Sequence, residues 1–492
     1  MDEEPDSNQW RTLDKDLKRF GRLELSGQLI SRPLIAPGAA LVFIALACAA
    51  AAAVLTPSGS SWTLIAAAGV GAYMALNIGA NDVANNVGPA VGARVLTMGG
   101  ALLIAAAFES LGAVIAGGDV VATISGGIVG LEGFDRPQVF MHAMIAAMIG
   151  AAIWVNLSTW LGAPVSTTHA IVGGVLGAGL AGGGLGVVNW AAVATIALGW
   201  VASPVMGGAV AAALLWFLQT RIKSAEDPLD AGRRWTPALV AMMAGVFAAY
   251  LSLKAVSHLV PVRGWQALAV GLGVGLATWL VLRPLVARRS AGMENRPRSM
   301  KALFRLPLAV SAALLSFAHG ANDVANVVGP LAAIARAAQE GAVDGSVAPP
   351  AWVMAIGALG ISLGLLLFGP RLVRMVGDEI TKLSPPRAWC VAMSAATTVI
   401  LASWMGLPVS STHVAIGGVF GVGFLREHQE ARRAREAAQG KQALGHPPEE
   451  RSRRKLVRRS HFLTILAAWV VTAPAAGLIS AGVLLASGPL LR

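Results

Sequence analysis

The stretch Gly79-Ala-Asn-Asp-Val-Ala-Asn-Asn-Val-Gly-Pro89 decides the fold, because it occurs again as Gly320-Ala-Asn-Asp-Val-Ala-Asn-Val-Val-Gly-Pro330. A second motif, Gly162-Ala-Pro-Val-Ser-Thr-Thr-His169, recurs as Gly406-Leu-Pro-Val-Ser-Ser-Thr-His413. The copies of the first motif lie 241 residues apart and those of the second lie 244 residues apart. Two motifs that recur in the same order at nearly the same separation indicate an internal duplication.

The composition predicts that both copies lie in a membrane. Of the 492 residues, 55% are hydrophobic and only 13% are charged. Soluble domains carry about 25% charged residues, so this chain lacks the polar surface that would cover a water-exposed globule. A soluble enzyme, a disordered protein and a nucleic-acid-binding protein are thereby excluded, despite the net charge of +12.

The apolar residues form blocks of about 20 residues, the length of helix that crosses a bilayer. The predicted spans are 36–55, 62–94, 98–118, 137–160, 163–182, 188–219, 236–258, 264–287, 303–337, 351–370, 388–405, 407–425 and 461–488. Lys and Arg collect in segments 220–235, 288–301 and 426–460, which places these segments in the cytoplasm. This orientation threads every span, with the N-terminus inside and the C-terminus outside.

The two spans that carry the Asn-Asp motif are seven spans apart, so the two copies cross the membrane in opposite directions. We therefore predict an all-α polytopic membrane protein, an inverted-repeat secondary transporter with a twelve-span core plus one extra N-terminal helix. The predicted parts are a cytoplasmic tail (1–35), the extra transmembrane helix (36–55), the first inverted repeat (62–219), two linking helices with cytoplasmic loops (220–302) and the second inverted repeat (303–490), which contains a basic cytoplasmic loop (426–460).

Asp82 and Asp323 lie deep inside apolar stretches, one in each copy of the first motif. An unpaired carboxylate inside a membrane is costly and typically marks an ion or proton pathway. The Gly before and the Gly-Pro after each Asn-Asp pair predict an interrupted helix whose freed carbonyls bind a cation. The alternative is that Asp and Asn cap a kinked helix. The amides that can contact a small ligand are Asn81, Asn85, Asn322 and Asn326.

Each copy of the second motif places a proline, Pro164 or Pro408, before a Ser/Thr cluster and an apolar run. Proline is favoured at a helix start, and Ser or Thr hydroxyls accept hydrogen bonds from the free backbone N–H groups there. A helix N-terminus is a ready anion site, so two of them from opposite halves can face one anion. The alternative is a pair of helix caps with hydrogen bonds between helices.

The spans near these motifs contain no Lys or Arg that could hold an anion, since Arg94 and Arg336 lie at the far ends. Two buried carboxylates without basic partners need cations, and a bound anion needs more of them. The pattern therefore predicts that an anion and a cation bind together, which is cotransport, with Na⁺ or H⁺ as the coupling ion.

Further polar residues leave alternatives open. Glu109 stands alone in its span and is either a further cation ligand or a core carboxyl with satisfied hydrogen bonds. His169 and His413 either relay protons or bond to the backbone, and the second alternative is favoured. His319 precedes the motif only in the second copy and is a weak candidate. An intramembrane protease is disfavoured because such an enzyme needs one nucleophile with one base, whereas both polar sets of this chain are duplicated.

The duplicated motifs Gly-Ala-Asn-Asp-Val-Ala-Asn and Pro-Val-Ser-(Ser/Thr)-Thr-His resemble those of the inorganic phosphate transporter (PiT) family of phosphate–cation symporters. The resemblance covers about 62–490 and includes Trp200-Val-Ala-Ser-Pro204 and Trp469-Val-Val-Thr-Ala-Pro474 in the last span of each half. It implies a twelve-helix inverted-repeat core, often dimeric, with both binding sites formed by these motifs.

Transferred to this chain, the resemblance implies that Asp82 and Asp323 hold the coupling cation together with Ser166 and Ser410, and that the two carboxylates form a metal site only if this cation is Na⁺. Glu109 is the further candidate for the cation. The implied phosphate ligands are Asn81, Asn85, Thr167, Thr168, Asn322, Asn326, Ser411 and Thr412.

Two features depart from the family pattern. The helix predicted at 36–55 lies outside the twelve-span core, and Val327 stands where the first copy has Asn86. Because of this second difference, the two half-sites need not be chemically equal.

The sequence thus predicts a secondary transporter, not an enzyme, that imports inorganic phosphate with H⁺ or Na⁺ by alternating access. The alternatives are a permease of the same fold for sulfate or another oxyanion, and a membrane receptor or scaffold without transport. We expect a multi-pass protein of the cell membrane, the inner membrane of a bacterium, embedded in the lipid bilayer. No catalytic residue, cofactor or nucleic-acid partner is expected, and the resemblance implies a homodimer.

Overall fold

The computed structural model describes residues 34–54, 61–161, 165–256, 260–340, 349–379, 383–438 and 459–488. Within these ranges the regular structure is helical, apart from one isolated antiparallel bridge between Val129 and Val188. The predicted tail at 1–35 lies almost entirely outside the described residues, and the predicted basic loop at 426–460 lies outside them from 439 to 458.

The first half of the chain forms α1 (Leu34–Val54), α2 (Ser61–Gly92), α3 (Met98–Ala116), α4 (Gly118–Gly126), α5 (Pro137–Trp160), α6 (Thr167–Gly183) and α7 (Trp190–Leu218). A π-helical turn at Gln219–Lys223 follows α7. The remaining helices are α8 (Pro228–Lys254), α9 (Gly264–Ser290), α10 (Pro297–Leu303), α11 (Arg305–Asp323), α12 (Ala325–Glu340), α13 (Ala351–Glu379), α14 (Pro385–Trp404), α15 (Ser411–Ala438) and α16 (Arg459–Ala486).

Ten helical segments of the described residues are long and apolar enough to cross a membrane. They correspond to ten of the thirteen predicted spans, so the protein is a multi-pass membrane protein. The other three predicted spans form α6, α14 and α15, which are helical but are not among the ten. The count of twelve core spans therefore stays a prediction.

All three basic segments that were predicted as loops contain helix, including segment 288–301, which holds most of α10. α8 begins at Pro228 because Asp227 caps it, with its carboxylate accepting hydrogen bonds from the N–H groups of Leu229 and Asp230. α15 runs on to Ala438, well past the end of its apolar run. Hydropathy marks where a helix leaves the apolar layer, whereas the helix itself ends where its backbone hydrogen bonds end.

The predicted interruption of the first Asn-Asp helix is wrong, because α2 runs unbroken through the motif to Gly92 with Pro89 inside it. In the second copy the helix breaks only at Val324, between α11 and α12. Even there the N–H of Val324 bonds to the carbonyl of Gly320, and Val324 accepts from Val328. The motif glycines serve close helix packing instead of freeing carbonyls.

Each helix that carries an Asn-Asp motif crosses the helix that follows the other copy of the motif. At one crossing, a Cβ added to Gly79 in α2 would lie 1.9 Å from the carbonyl oxygen of Ile361 in α13. At the other, a Cβ added to Gly320 in α11 would lie 2.0 Å from the carbonyl oxygen of Glu109 in α3. Helix backbones approach this closely only where small residues stand at the contact, so the glycines of both motif copies set these crossings.

The second motif forms another pair of matching crossings. A Cβ on Gly173 in α6 would lie 2.2 Å from the carbonyl oxygen of Ala473 in α16, and one on Gly417 in α15 would lie 2.1 Å from that of Pro204 in α7. In all four crossings, an element of one half therefore packs on an element of the other half.

The two largest clusters of the apolar core meet at the Asn-Asp motifs. Ile78, just before the first motif, belongs to one cluster, and Val83, within the motif, belongs to the other. The second copy shows the same change between Leu315 in α11 and Val328 in α12. The polar residues of both motifs therefore lie at the junction of the two clusters.

α1 packs on the outside of this core through one face. Phe43, Ala47 and Ala51 are buried at a spacing of four residues, whereas Leu41 and Leu46 are more than 60% exposed. The buried face contacts α2 and α13, as the ring of Phe43 lies against Gly360. The exposed apolar face is suited to lipid, which agrees with a transmembrane helix added to the core.

Candidate functional site

The two motif carboxylates, both about 1% exposed, come together in the centre of the protein. The hydroxyl of Thr167, the first residue of α6, donates to Asp82 Oδ2 at 2.9 Å and lies 3.4 Å from Asp323 Oδ2. From the other half, the hydroxyl of Thr412 in α15 donates to Asp82 Oδ1 at 3.2 Å. The structure thus joins both Asp-bearing helices to the N-terminal ends of α6 and α15.

The imidazole of His319 is fully buried between three carboxylates. Its Nε2 lies 3.0 Å from Asp323 Oδ2 and 3.6 Å from Asp82 Oδ2, and its Nδ1 lies 3.2 Å from Glu109 Oε1. The sequence marked His319 only as a weak candidate. Its spacing from Asp323 could have identified His319 as a stronger candidate. Residues four apart lie on the same face of a helix, so His319 had to lie beside Asp323.

Glu109 reaches this cluster from α3, with its side chain 1% exposed. Its Oε1 accepts a hydrogen bond from the amide of Asn86 at 2.7 Å. Its Oε2 has no hydrogen-bond partner among the described residues. Glu109 therefore combines the two alternatives from the sequence, since one oxygen is satisfied by the core and the other remains free to bind a cation.

The site is not symmetric. Asn86, Glu109 and His319 extend the polar cluster on one side only, because the matching positions of the other half are apolar. Aligning the repeated motifs and the crossing glycines gives these counterparts as Val327, Ile361 and Ile78. An additional ionisable pair, Glu109 and His319, therefore lies beside the pair of aspartates.

Two of the motif asparagines bridge the halves. The amide of Asn85 in α2 donates to Thr412 Oγ1 at 2.8 Å. The amide of Asn326 in α12 lies 3.3 Å from Thr168 Oγ1 and 3.4 Å from Thr167 Oγ1. Each amide thus contacts the hydroxyl-rich helix end of the opposite half, where the resemblance expects the phosphate.

The other two asparagines contact their own half. Asn322 donates to Ser403 Oγ at 2.9 Å and accepts from the N–H of Val409 at 3.2 Å. Asn81 lies 2.8 Å from Thr159 Oγ1. These contacts position the Asp-bearing helices, and the role of both amides as phosphate ligands stays a prediction.

The serines of the second motif cap their helices as the sequence predicts. Ser166 Oγ accepts from the N–H of His169 at 3.1 Å, and Ser410 Oγ accepts from the N–H of His413 at 3.2 Å. Ser411, at the first position of α15, is 2% exposed, and its hydroxyl has no hydrogen-bond partner among the described residues. This hydroxyl is free to bind a ligand.

The two motif histidines stack on tryptophans. The ring of His169 lies 3.8 Å from that of Trp200, and the ring of His413 lies 3.9 Å from that of Trp469. The two imidazoles also meet edge to face at 4.4 Å. They pack the ends of α6 and α15 together, a role that neither sequence alternative described.

The arrangement can hold small cations. Asp82, His319 and Asp323 each offer a ligand atom, and these atoms all lie within 4.8 Å of one another. Among the described residues, the ion pairs of these carboxylates run to His319. Buried polar atoms normally have hydrogen-bond partners, whereas Asp323 Oδ1 and Asn326 Oδ1 have none within the part of the chain that the structure describes. Carboxylate and amide oxygens of this kind fit a hard cation.

Buried acidic groups at the junction of packed membrane helices, together with uncharged hydroxyl-rich helix ends, define a membrane transporter. The model of the Phosphate transporter family matches residues 78–480. The chain therefore belongs to the Phosphate transporter family, as the resemblance predicted.

Individual proteins give the same result. A Helicobacter pylori strain J99 protein named "Putative phosphate permease" is 44% identical over 417 residues, covering 84% of this chain and 78% of that protein. Inorganic phosphate transporter 2-1, chloroplastic, of Arabidopsis thaliana is 36% identical over 382 residues, covering 72% of this chain and 65% of that protein. Among solved structures, one titled "The sodium-dependent phosphate transporter" matches with a TM-score of 0.78 and 33% identity, covering 87% of this chain and 99% of that one. The names describe transporters and permeases, in line with the expectation that this chain is not an enzyme.

Proposed function

We propose that this protein imports inorganic phosphate by symport with a cation, Na⁺ or H⁺, through alternating access of two inverted halves. One observation carries the proposal: Thr167 and Thr412, at the N-terminal ends of helices from opposite halves, both bind the buried carboxylate of Asp82. Such a site brings the ligands for a cation and for an oxyanion into direct contact, so neither ion binds without affecting the other.

The packing supports the inverted repeat. α2 crosses α13 as α11 crosses α3, and α6 crosses α16 as α15 crosses α7. Reciprocal exchange of equivalent elements is what a two-fold axis between two copies produces, and transporters with inverted repeats bind their substrates at that axis. Rocking of one half against the other would then open the site to either side in turn.

The cation is held by Asp82 and Asp323, with Ser166 and Ser410 nearby and Glu109 as a further ligand. Three buried carboxyl groups face one imidazole, so the cluster contains more acidic groups than basic ones. Adding phosphate increases the negative charge. Cations therefore have to enter with the anion, since uncompensated charge inside the membrane is costly.

The phosphate lies between the ends of α6 and α15. Its proposed ligands are Thr168, Ser411 and Thr412 with the amides of Asn85 and Asn326, joined by Thr167 where it is not held by the carboxylates. Helix N-termini bind phosphate through free N–H groups and hydroxyls without requiring a basic side chain. Asn81 and Asn322, which contact residues of their own half, are the remaining proposed ligands.

The three basic segments support an orientation in which the side of the protein that carries them lies in the bacterial cytoplasm. Residues of the segments 220–235, 288–301 and 426–460 line one common cavity, so they lie on the same side of the protein. The positive-inside rule assigns such a side to the cytoplasm. The proposed location is the inner membrane, and the homodimer implied by the resemblance completes the proposal.

Reconstitution into liposomes tests the proposal. Radiolabelled phosphate uptake is measured with a sodium gradient and a pH gradient imposed separately, in vesicles without the protein as the control. Accumulation of phosphate driven by one gradient, and abolished by the matching ionophore, is expected. If phosphate accumulates under neither gradient, the protein is a receptor or scaffold and not a transporter. If excess sulfate inhibits uptake as strongly as unlabelled phosphate does, the protein is a general oxyanion permease.

A further inference from the structure

A cavity of about 1040 Å³ lies away from the transport site, on the face of the protein that carries the basic segments. It is bounded by the end of α7 and its π-helical turn, α10, the start of α14 and the extension of α15. Ligand pockets for drug-sized molecules measure about 300–1,000 Å³, so this cavity is too large to be specific for a single orthophosphate.

The cavity is strongly basic. One carboxylate, Glu430, contributes to its lining and pairs with Arg426 at 3.3 Å. Against it stand six basic side chains: Lys223, Arg296, Lys301, Arg387, Arg426 and Arg432. One guanidinium group can bind two phosphate oxygens through two parallel N–H donors. Two of the four arginines also pair with carboxylates, Arg296 with Glu294 and Arg426 with Glu430. The excess of basic side chains that remains is suited to a ligand with more than one phosphate group.

We propose that this cavity binds an anion that carries two or more phosphate groups. The ligand chemistry is shared by soluble polyphosphorylated compounds and by the headgroup of a diphosphorylated lipid. In either case, the ligand bridges α15 to α10 and to α14.

Orientation in the membrane does not account for this arrangement. The positive-inside rule requires Lys and Arg somewhere in the loops, and exposed residues such as Arg288 and Arg289 meet it without lining the cavity. The lining residues instead come from four separate segments and converge on one concave space. The uncapped N-terminal end of α14, at Ser384, adds its positive dipole to the same space.

The cavity is linked to the transport site through α15. This helix is continuous from Ser411 to Ala438, so Thr412 and Arg426 lie on one rod about 21 Å apart at 1.5 Å per residue. An anion that fixes the far end of α15 would restrain the helix whose near end binds Asp82. Resting on the proposed transport function, this link predicts that the ligand slows phosphate uptake.

Direct binding tests the proposal without depending on transport. Purified full-length protein in phosphatidylcholine nanodiscs is titrated with inorganic tripolyphosphate at constant ionic strength. Lys301→Gln and Arg387→Gln should each weaken binding by about tenfold, the effect of one charge-assisted contact. Lys301 is exposed, so its variant tests the site even if Arg387→Gln fails to fold. Arg289→Gln is the matched control, since Arg289 is an exposed cation outside the cavity.

Equal binding by Lys301→Gln and Arg289→Gln, or no binding by the unmodified protein, would overturn the proposal. Asp82→Asn should retain tripolyphosphate binding, which separates this site from the transport site. Nanodiscs with cardiolipin or with phosphatidylglycerol at equal surface charge distinguish the two sources. Competition by cardiolipin alone assigns the cavity to a lipid headgroup, and equal binding in both assigns it to a soluble anion.

Discussion

At the scale of single residues, the aspartates and threonines of the repeated motifs were clear candidates, whereas Glu109 was left between two alternatives and His319 was only a weak candidate. Asp82 and Asp323 stood out because each is a carboxylate in an apolar span, and the structure brings them to the same hydroxyl of Thr167. His319 and Glu109 have no counterparts in the other copy, so a comparison of the copies gives them little weight. Their proximity arises from the crossing of α3 and α11, a contact between residues far apart in the chain.

Removing either buried charge should abolish transport. Asp82→Asn and Asp323→Asn each delete a negative ligand from a buried charge cluster, a loss of about 3 kcal/mol or more, which corresponds to at least a ~100-fold decrease in uptake. Both variants should still reach the membrane, since the helices remain apolar. Phosphate uptake into proteoliposomes measures the effect.

Asp119→Asn is the control for both variants. Its carboxylate is exposed and pairs with Lys254 outside the site, and exposed ion pairs contribute little. Uptake by Asp82→Asn or Asp323→Asn equal to that of the control would remove these carboxylates from the mechanism.

Glu109 and His319 should be energetically coupled. Their side chains lie 3.2 Å apart, so loss of one partner already removes the interaction. In a double-mutant cycle with Glu109→Gln and His319→Gln, the destabilisation by both together should be smaller than the sum by roughly 0.5–3 kcal/mol. Denaturant unfolding in detergent supplies the free energies of unfolding. Strict additivity, as expected for Glu109→Gln with the distant His428→Gln, would contradict the contact.

At the scale of helices, hydropathy located the spans but not the helix ends. The Gly-rich motifs suggested broken helices, whereas α2 is continuous and its Gly79 allows α13 to approach. The sequence does not show whether a glycine interrupts its own helix or allows another helix to approach closely. Only the packing distinguishes the two. The helix starts at Ser166 and Ser410 were predictable because capping is local chemistry.

The crossing of α2 and α13 should not tolerate a side chain at Gly79. Gly79→Ala places a Cβ 1.9 Å from the carbonyl oxygen of Ile361, and such overpacking costs about 1–3 kcal/mol. Gly273→Ala in α9 is the matched control because nothing lies within 4 Å of its added Cβ. Thermal unfolding in detergent should show a lower Tm for Gly79→Ala alone. Equal Tm values for the two variants would show that this crossing is looser than described.

At the scale of the whole molecule, the duplication predicted the architecture because one sequence motif in two places implies one structural unit used twice. The antiparallel relation of the copies stays a prediction from counting spans, and the reciprocal crossings are consistent with it. The basic cavity could not be predicted, since its lining residues belong to segments that come together only after the two halves and the linking helices have packed.

The orientation of the molecule gives a labelling prediction. In a chain lacking Cys48 and Cys390, cysteine replaces either Lys301, in the basic face, or Trp265, at the start of α9, where 65% of the side chain is exposed. A membrane-impermeant maleimide added to intact cells should label position 265 and not position 301, because the basic face lies inside. Labelling of position 301 alone would invert the proposed topology.

Equilibrium binding of phosphate to the purified protein shows directly whether the buried carboxylates make anion and cation binding interdependent. Phosphate affinity is measured as the sodium concentration and the pH are varied separately at constant ionic strength. The phosphate affinity should rise steeply with the concentration of one of the two cations, and Asp82→Asn should remove this dependence. Phosphate binding of unchanged affinity across both titrations would contradict it.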